Sequence, residues 1–209
     1  MSKKKSLFIT FEGIEGSGKS YQSLRLYKKI KRKGYSAIYT REPGGTKNTE
    51  SIRKIILTGK KNKFTKVTDT LLYLASRNEN FKRIIKPSLS KKKIVICDRF
   101  IDSTLAYQVY GNGVSRSLVN NIHNYILGKV KPDLTFILKL KLSKAFERIN
   151  RRKKNRYDKF SKIFYKKVQN AFIRISKQSK KRYVVLDTSN DTSKTEGFIY
   201  KKFLEKIKK

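Results

Sequence analysis

Hydrophobic positions follow two alternating rhythms along this chain. Five short runs read as strands because they are compact, apolar and rich in β-branched and aromatic residues. They are 6–13 (SLFITFEG), 35–40 (YSAIYT), 93–98 (KIVICD), 134–140 (LTFILKL) and 182–187 (RYVVLD). Longer segments between them carry apolar residues at helical spacing. One spans about 19–33, with Leu24, Leu26, Tyr27 and Ile30, and stops at Gly34. Another spans 46–59, with Ile52, Ile55 and Ile56 on one face and Gly59 as its stop. A longer helix is predicted from Thr68 to the region of Pro87, and two more at about 101–110 and 115–127, split by the turn GNG. Helical segments at 143–150, 159–179 and 192–207 complete the pattern. Strands separated by helices predict an α/β fold in three layers, α/β/α, around a five-stranded parallel sheet. With 209 residues and no internal repeat, 1–209 reads as a single domain.

Composition changes this picture in three places. No apolar run approaches the roughly 18 residues of a membrane span, and the N-terminal apolar stretch is too short for a signal peptide. A lone cysteine, Cys97, excludes an internal disulfide and fits a reducing compartment, so the expected location is cytoplasmic. The formal charge is +38. A polyanion partner such as nucleic acid or an anionic membrane is one reading of that charge. However, 39 of the 53 basic residues are lysine, dispersed along a chain also rich in asparagine and isoleucine. That mix is what AT-rich codons produce. No specific nucleic-acid or membrane partner is therefore expected, although self-repulsion should make the protein salt-sensitive.

The candidate chemistry begins where the first strand ends. The stretch GIEGSGKS (13–20) satisfies G-x-x-x-x-G-K-[ST], with a strand before it and an amphipathic helix after it. Gly13, Gly16 and Gly18 let backbone N–H groups curl around an anion, with Ile14, Glu15 and Ser17 between them. The helix N-terminus adds its positive end. Lys19 would reach the outer phosphates of a nucleoside triphosphate and Ser20 would bind Mg²⁺. Such a loop expects an acidic metal partner at another strand tip, and Asp98 closes the run KIVIC. A P-loop NTPase-type fold follows.

Three further stretches narrow the reaction: TREPGGT (40–46), LLYLASR (71–77) and DRFIDSTLAYQ (98–108). Ligands of doubly wound sheets lie outside the carboxyl ends of the strands. Residues just past the second and third strands therefore converge on the phosphate loop. Arg41 and Arg99 come to one place, with Arg53 one helix away. Arginines converging beside a triphosphate imply a second anion, and a guanidinium group suits bidentate phosphate recognition.

These motifs, in this order, resemble bacterial thymidylate kinase over essentially the whole chain, including KPDLTFIL (131–138) and NRYD (155–158). The resemblance implies transfer of the γ-phosphoryl of ATP to dTMP, with Mg²⁺, and a homodimer packed through helices. By it, Arg41, Arg53 and Arg99 gather the dTMP phosphate and the transferring group. Tyr73 stacks on thymine, where Phe is commoner, and Arg77 hydrogen-bonds the base edge. Ser103, Tyr107 and Gln108 line base and sugar, Tyr107 opposing a 2′-hydroxyl. Glu15 faces the acceptor side, Glu12 stands behind it, and Phe100 replaces the more usual Tyr or His.

No general base is needed, because the acceptor is already a phosphate oxygen with a second pKa of about 6. Alignment of two anions and cationic stabilisation carry the reaction. His123, the only histidine, is expected to be structural or surface. Some relatives keep an arginine inside the P-loop, which this sequence lacks. The basic segment RINRRKKNRYD (148–158) resembles the mobile lid of the other subgroup. Arg156 is the expected catalytic cation there, with Arg152 and Arg151 next. Two alternatives compete: a basic P-loop ATPase that binds nucleic acid, and a same-fold kinase with another nucleoside monophosphate acceptor.

Overall fold

The structure is a computed structural model in which residues 6–151, 153–189 and 192–208 are described. Its strands are β1 (Leu7–Glu12), β2 (Ala37–Arg41), β3 (Ile94–Asp98), β4 (Leu134–Lys139) and β5 (Tyr183–Asp187). All pair in parallel, in the order β2-β3-β1-β4-β5. The connecting helices are α1 (Lys19–Arg32), α2 (Lys47–Leu57), α3 (Lys66–Asn80), α4 (Lys86–Ser90), α5 (Ile101–Thr104), α6 (Arg116–Leu127), α7 (Leu142–Asn150), α8 (Lys162–Ser176) and α9 (Thr192–Ile207).

The period of two along each strand sorts the core into layers. Leu7, Ile9 and Phe11 of β1, with Leu134, Phe136 and Leu138 of β4, face Leu26 and Ile30 of α1 and Ile199 and Phe203 of α9. The opposite face carries Phe8, Val95 and Cys97 against Leu74 of α3 and Ile126 and Leu127 of α6. Ile137 on that side meets Val168 and Phe172 of α8. The α/β/α sandwich expected from the alternation is therefore present.

Three helix boundaries differ from the sequence expectation, each for a local reason. The helix expected after Thr68 starts at Lys66, because Thr65 is its cap and accepts the Thr68 N–H at 3.2 Å. It continues past Pro87 through a π-helical turn, Phe81–Ile85, which leaves the proline in the first turn of α4. The helix expected at 159–179 splits: a 3₁₀ turn, Tyr157–Lys159, precedes an extended Phe160, and Ser161 then caps α8.

Candidate active site

The carboxyl ends of β1, β2 and β3 open onto one cavity of about 480 Å³. On one side of it the chain turns from β1 through residues 13–18 into α1. Steric closeness explains the glycines there. A Cβ on Gly13 would lie 2.5 Å from the Leu138 carbonyl oxygen, and one on Gly16 would lie 2.8 Å from that of Ala145. The loop is thus pressed between the end of β4 and α7. No side chain caps α1 and its first turn holds no acidic residue, so its leading N–H groups remain for an anion. Lys19 Nζ donates to the Ile14 carbonyl at 2.9 Å. Burial, and then the charge of Arg99, bring its pKa down to about 8.

The Ser20 hydroxyl donates to Asp98 Oδ2. Asp98 Oδ1 is buried without a hydrogen-bond partner among the described residues. A carboxylate oxygen so placed costs desolvation unless a cation or water meets it. Together with the Ser20 hydroxyl it is a donor set of the hard oxygen type that Mg²⁺ takes. The residues fit the ion.

The other side of the cavity is built from side chains. Arg99 adopts φ 72°, outside the usual range for a residue with a Cβ. Flanking bonds hold it there: Arg99 N–H donates to the Phe11 carbonyl and Phe100 N–H to Glu12 Oε1, at 2.9 and 2.8 Å. Its guanidinium donates to Glu15 Oε1 at 2.7 Å and to the Gly13 carbonyl and Ser103 Oγ at 3.0 Å each. Glu15 also accepts from the Tyr107 hydroxyl. Against the cost of burial, Arg99 and Lys19 hold the Glu15 carboxyl below its usual range. Ser103 Oγ donates to Glu12 Oε2 at 2.5 Å. Burial, then the Asp102 charge, raises the Glu12 carboxyl well above the ordinary carboxylate range.

Arg53 Nη1 donates to the Pro43 carbonyl at 2.7 Å, and Arg41 forms a fork on Glu50 at 2.8 and 3.3 Å. Gln108 Nε2 donates to the Tyr157 hydroxyl at 3.0 Å, and the Tyr73 ring meets that of Tyr157 edge-on. The cavity therefore brings together Glu15, Gly16, Gly18, Lys19, Ser20 and Asp98 with Arg41, Arg53, Tyr73, Arg77, Arg99, Ser103, Tyr107 and Gln108.

The basic segment behaves differently. Arg156 is not among the residues lining this cavity. It is 3% exposed, its guanidinium pairs with Asp69 of α3, and its backbone N–H donates to the Leu57 carbonyl at 2.9 Å. Arg152 lies outside the described residues. Arg151 is exposed and pairs with Glu147. Among the described arginines of this segment, Arg148 lines the cavity and donates to the Gly16 carbonyl at 2.9 Å. Sequence reasoning passed over it because it reads as the last turn of α7. Glu42, Thr104 and Tyr157 also line the cavity; they lie within TREPGGT, DRFIDSTLAYQ and NRYD, whose other residues drew the roles, while His123, behind the cavity on Arg77, lies in no motif.

Comparison with known proteins places this cavity in context. A family profile described as thymidylate kinase matches residues 11–199. The chain is 39% identical over 205 residues to a thymidylate kinase of Mycoplasma capricolum subsp. capricolum, covering 97% of this chain and 96% of that one. It is 40% identical over 204 residues to a thymidylate kinase of Wolbachia pipientis wMel, covering 96% and 100%. Among solved structures, a thymidylate kinase from Ehrlichia chaffeensis superposes with a TM-score of 0.76 at 37% identity, over 96% of this chain and 99% of that one.

Proposed function

The chain belongs to the thymidylate kinase family, and on that premise we propose how its cavity transfers the γ-phosphoryl of ATP to dTMP, giving dTDP and ADP. The observation that carries the reading is one continuous cavity joining Lys19 and the uncapped α1 to Arg41, Arg53, Arg77 and Arg99.

Backbone N–H groups of residues 13–20 and Lys19 bind the triphosphate. Ser20 and Asp98 would hold a divalent cation, which supplies positive charge against the phosphate oxygens. Arg41, Arg53 and Arg99 draw in the dTMP phosphate and hold its oxygen in line with the γ-phosphorus. Without such cations two polyanions repel, so alignment is the main catalytic contribution. Tyr73, Arg77, Ser103, Tyr107 and Gln108 receive thymine and deoxyribose. Ser103 acts through its hydroxyl: it donates a hydrogen bond to Glu12 and accepts one from Arg99, steadying that arginine.

Within the basic segment, 148–158, Arg148 reaches the donor loop at the Gly16 carbonyl, and Arg156 pins the segment to α3. The segment acts as a lid on the single domain, limiting hydrolysis of ATP by water. We include in this reading a homodimer in the cytoplasm. Ile55 of α2 and Val67 and Leu71 of α3, each over 40% exposed, are apolar positions that a helix-packed dimer would cover. No helix among the described residues is long and apolar enough to cross a membrane.

A nucleic-acid-stimulated ATPase leaves the arginine-lined half of the cavity without a use and is not favoured. Phosphotransfer with ATP, Mg²⁺ and a panel of monophosphates tests the assignment. dTMP should exceed AMP, CMP and GMP as acceptor by at least about a hundredfold in kcat/KM; equal use of any of these would defeat it.

A further inference from the structure

Arg77 is buried to 2% exposure, and the way its hydrogens are shared out assigns a role to a residue outside the cavity wall. A guanidinium carries five N–H donors in a rigid plane and no acceptor. Arg77 Nε donates to Glu42 Oε2 at 2.7 Å and one Nη2–H goes to the Phe100 carbonyl at 2.9 Å. The two Nη1 hydrogens go to Thr104 Oγ1 and His123 Nε2, each at 2.7 Å. Among the described residues no further acceptor takes the second Nη2–H, and Arg77 forms part of the cavity wall. Because the plane is rigid, fixing the other four hydrogens fixes where the fifth points.

His123 can serve here only as an acceptor, since Arg77 has nothing but donors to offer it. Its imidazole must therefore be neutral, with the proton on Nδ1. Burial, then the adjacent Arg77 charge, pushes its pKa down to about 2, so the ring stays an acceptor across the physiological range. His123 stands on α6 and Arg77 on α3, so the contact also sets how the helix behind the cavity supports the side chain within it.

We propose that His123 is a positioning residue for base selection: by accepting one Nη1–H it aims the remaining Arg77 N–H at a carbonyl oxygen of a pyrimidine acceptor. The matching edge of cytosine presents an amino group, whose hydrogens would oppose that donor. The inference rests on the reading of Arg77 as the residue that meets the acceptor base. It differs from the expectation that the sole histidine is structural or surface, because His123 is buried and an effect on choice of substrate is predicted as well as one on stability.

The test compares His123→Leu with His123→Gln, whose side-chain oxygen can reach the place of Nε2, and with His123→Asn, whose oxygen falls short of it. kcat and KM are measured for dTMP and dCMP, with melting temperature alongside. In the leucine variant KM for dTMP should rise about tenfold, the scale of one hydrogen bond to a charged group. kcat should stay within about twofold, and the dTMP-to-dCMP ratio of kcat/KM should fall about tenfold. Glutamine should restore most of that ratio and asparagine should not. If the leucine variant does not fold, the glutamine–asparagine contrast decides the matter. A ratio unchanged in a folded leucine or asparagine variant, or lost equally in glutamine, would overturn the inference. A wild-type enzyme indifferent between dTMP and dCMP would instead overturn the acceptor assignment beneath it.

Discussion

The two halves of the cavity achieve rigidity by opposite means. The donor half is mostly main chain: glycines seated against the Leu138 and Ala145 carbonyls and a helix start left uncapped. The acceptor half is mostly side chain, with Arg41, Arg77 and Arg99 each tied to a carboxylate: Glu50, Glu42 and Glu15. Amides cannot change charge or rotamer, so the donor half suits a constant ligand, the triphosphate. Side chains can be exchanged one at a time, so the acceptor half is where selectivity can be adjusted. A cost follows, because removing one partner of a buried pair leaves the other uncompensated.

The sharpest way to break this contrast is Arg99→Ala. Loss of the central guanidinium should lower kcat/KM for dTMP by about 10⁴-fold, within the range for a cation acting on the transferred phosphoryl. ATP affinity, measured by calorimetric titration, should change less than about threefold, because backbone amides remain. An equal loss of both would mean that the halves do not act separately.

Next in size is Arg156→Ala. It leaves the buried Asp69 carboxylate without its cation, with the Tyr157 hydroxyl still donating to it, and should cost about 3 kcal/mol of stability, read from the urea midpoint. Turnover of the variant that remains folded in the cold should fall less than about tenfold. A large loss of turnover at unchanged stability would return Arg156 to the phosphoryl group, as the lid resemblance suggested.

The smallest effect concerns the one titratable cation of the donor half. With its pKa brought down to about 8, Lys19 is charged below that pH and loses its proton above it. Above about pH 7, where the substrate phosphates with a second pKa of about 6 are already ionised, kcat/KM for ATP should therefore decline through pH 8 towards about tenfold per pH unit. Arg99, Glu15, Asp98 and Glu12 surround the amine. The guanidinium groups of the acceptor half keep their protons there, so KM for dTMP should follow a flatter profile. Parallel declines would undo the distinction.

The same contrast explains what could be read in advance. The P-loop was legible because its residues are contiguous and their spacing encodes one turn. Arg41 and Arg99 were legible because strand ends in a parallel sheet converge, so topology substituted for distance. Strands, layers and the site of the cavity followed from periodicity. The basic segment was visible as a run, but periodicity could not tell that Arg156 would find Asp69, 87 positions earlier, while Arg148 reached Gly16. His123 meets Arg77 across 46 positions, through the packing of α6 on α3, and no short pattern marks such a pair. Tertiary pairing of isolated polar residues is what the sequence hides.

Asp98 and Arg99 are neighbours, one serving each half, and the left-handed backbone at Arg99 turns its side chain to the opposite pocket. The gap between the two reactants is consequently gauged by a single peptide unit at the tip of β3. Any sliding of β3 against β1 would carry both grips along together, leaving their separation untouched. What would spoil alignment is a rotation at that one joint, which Glu12 guards by holding the Phe100 amide.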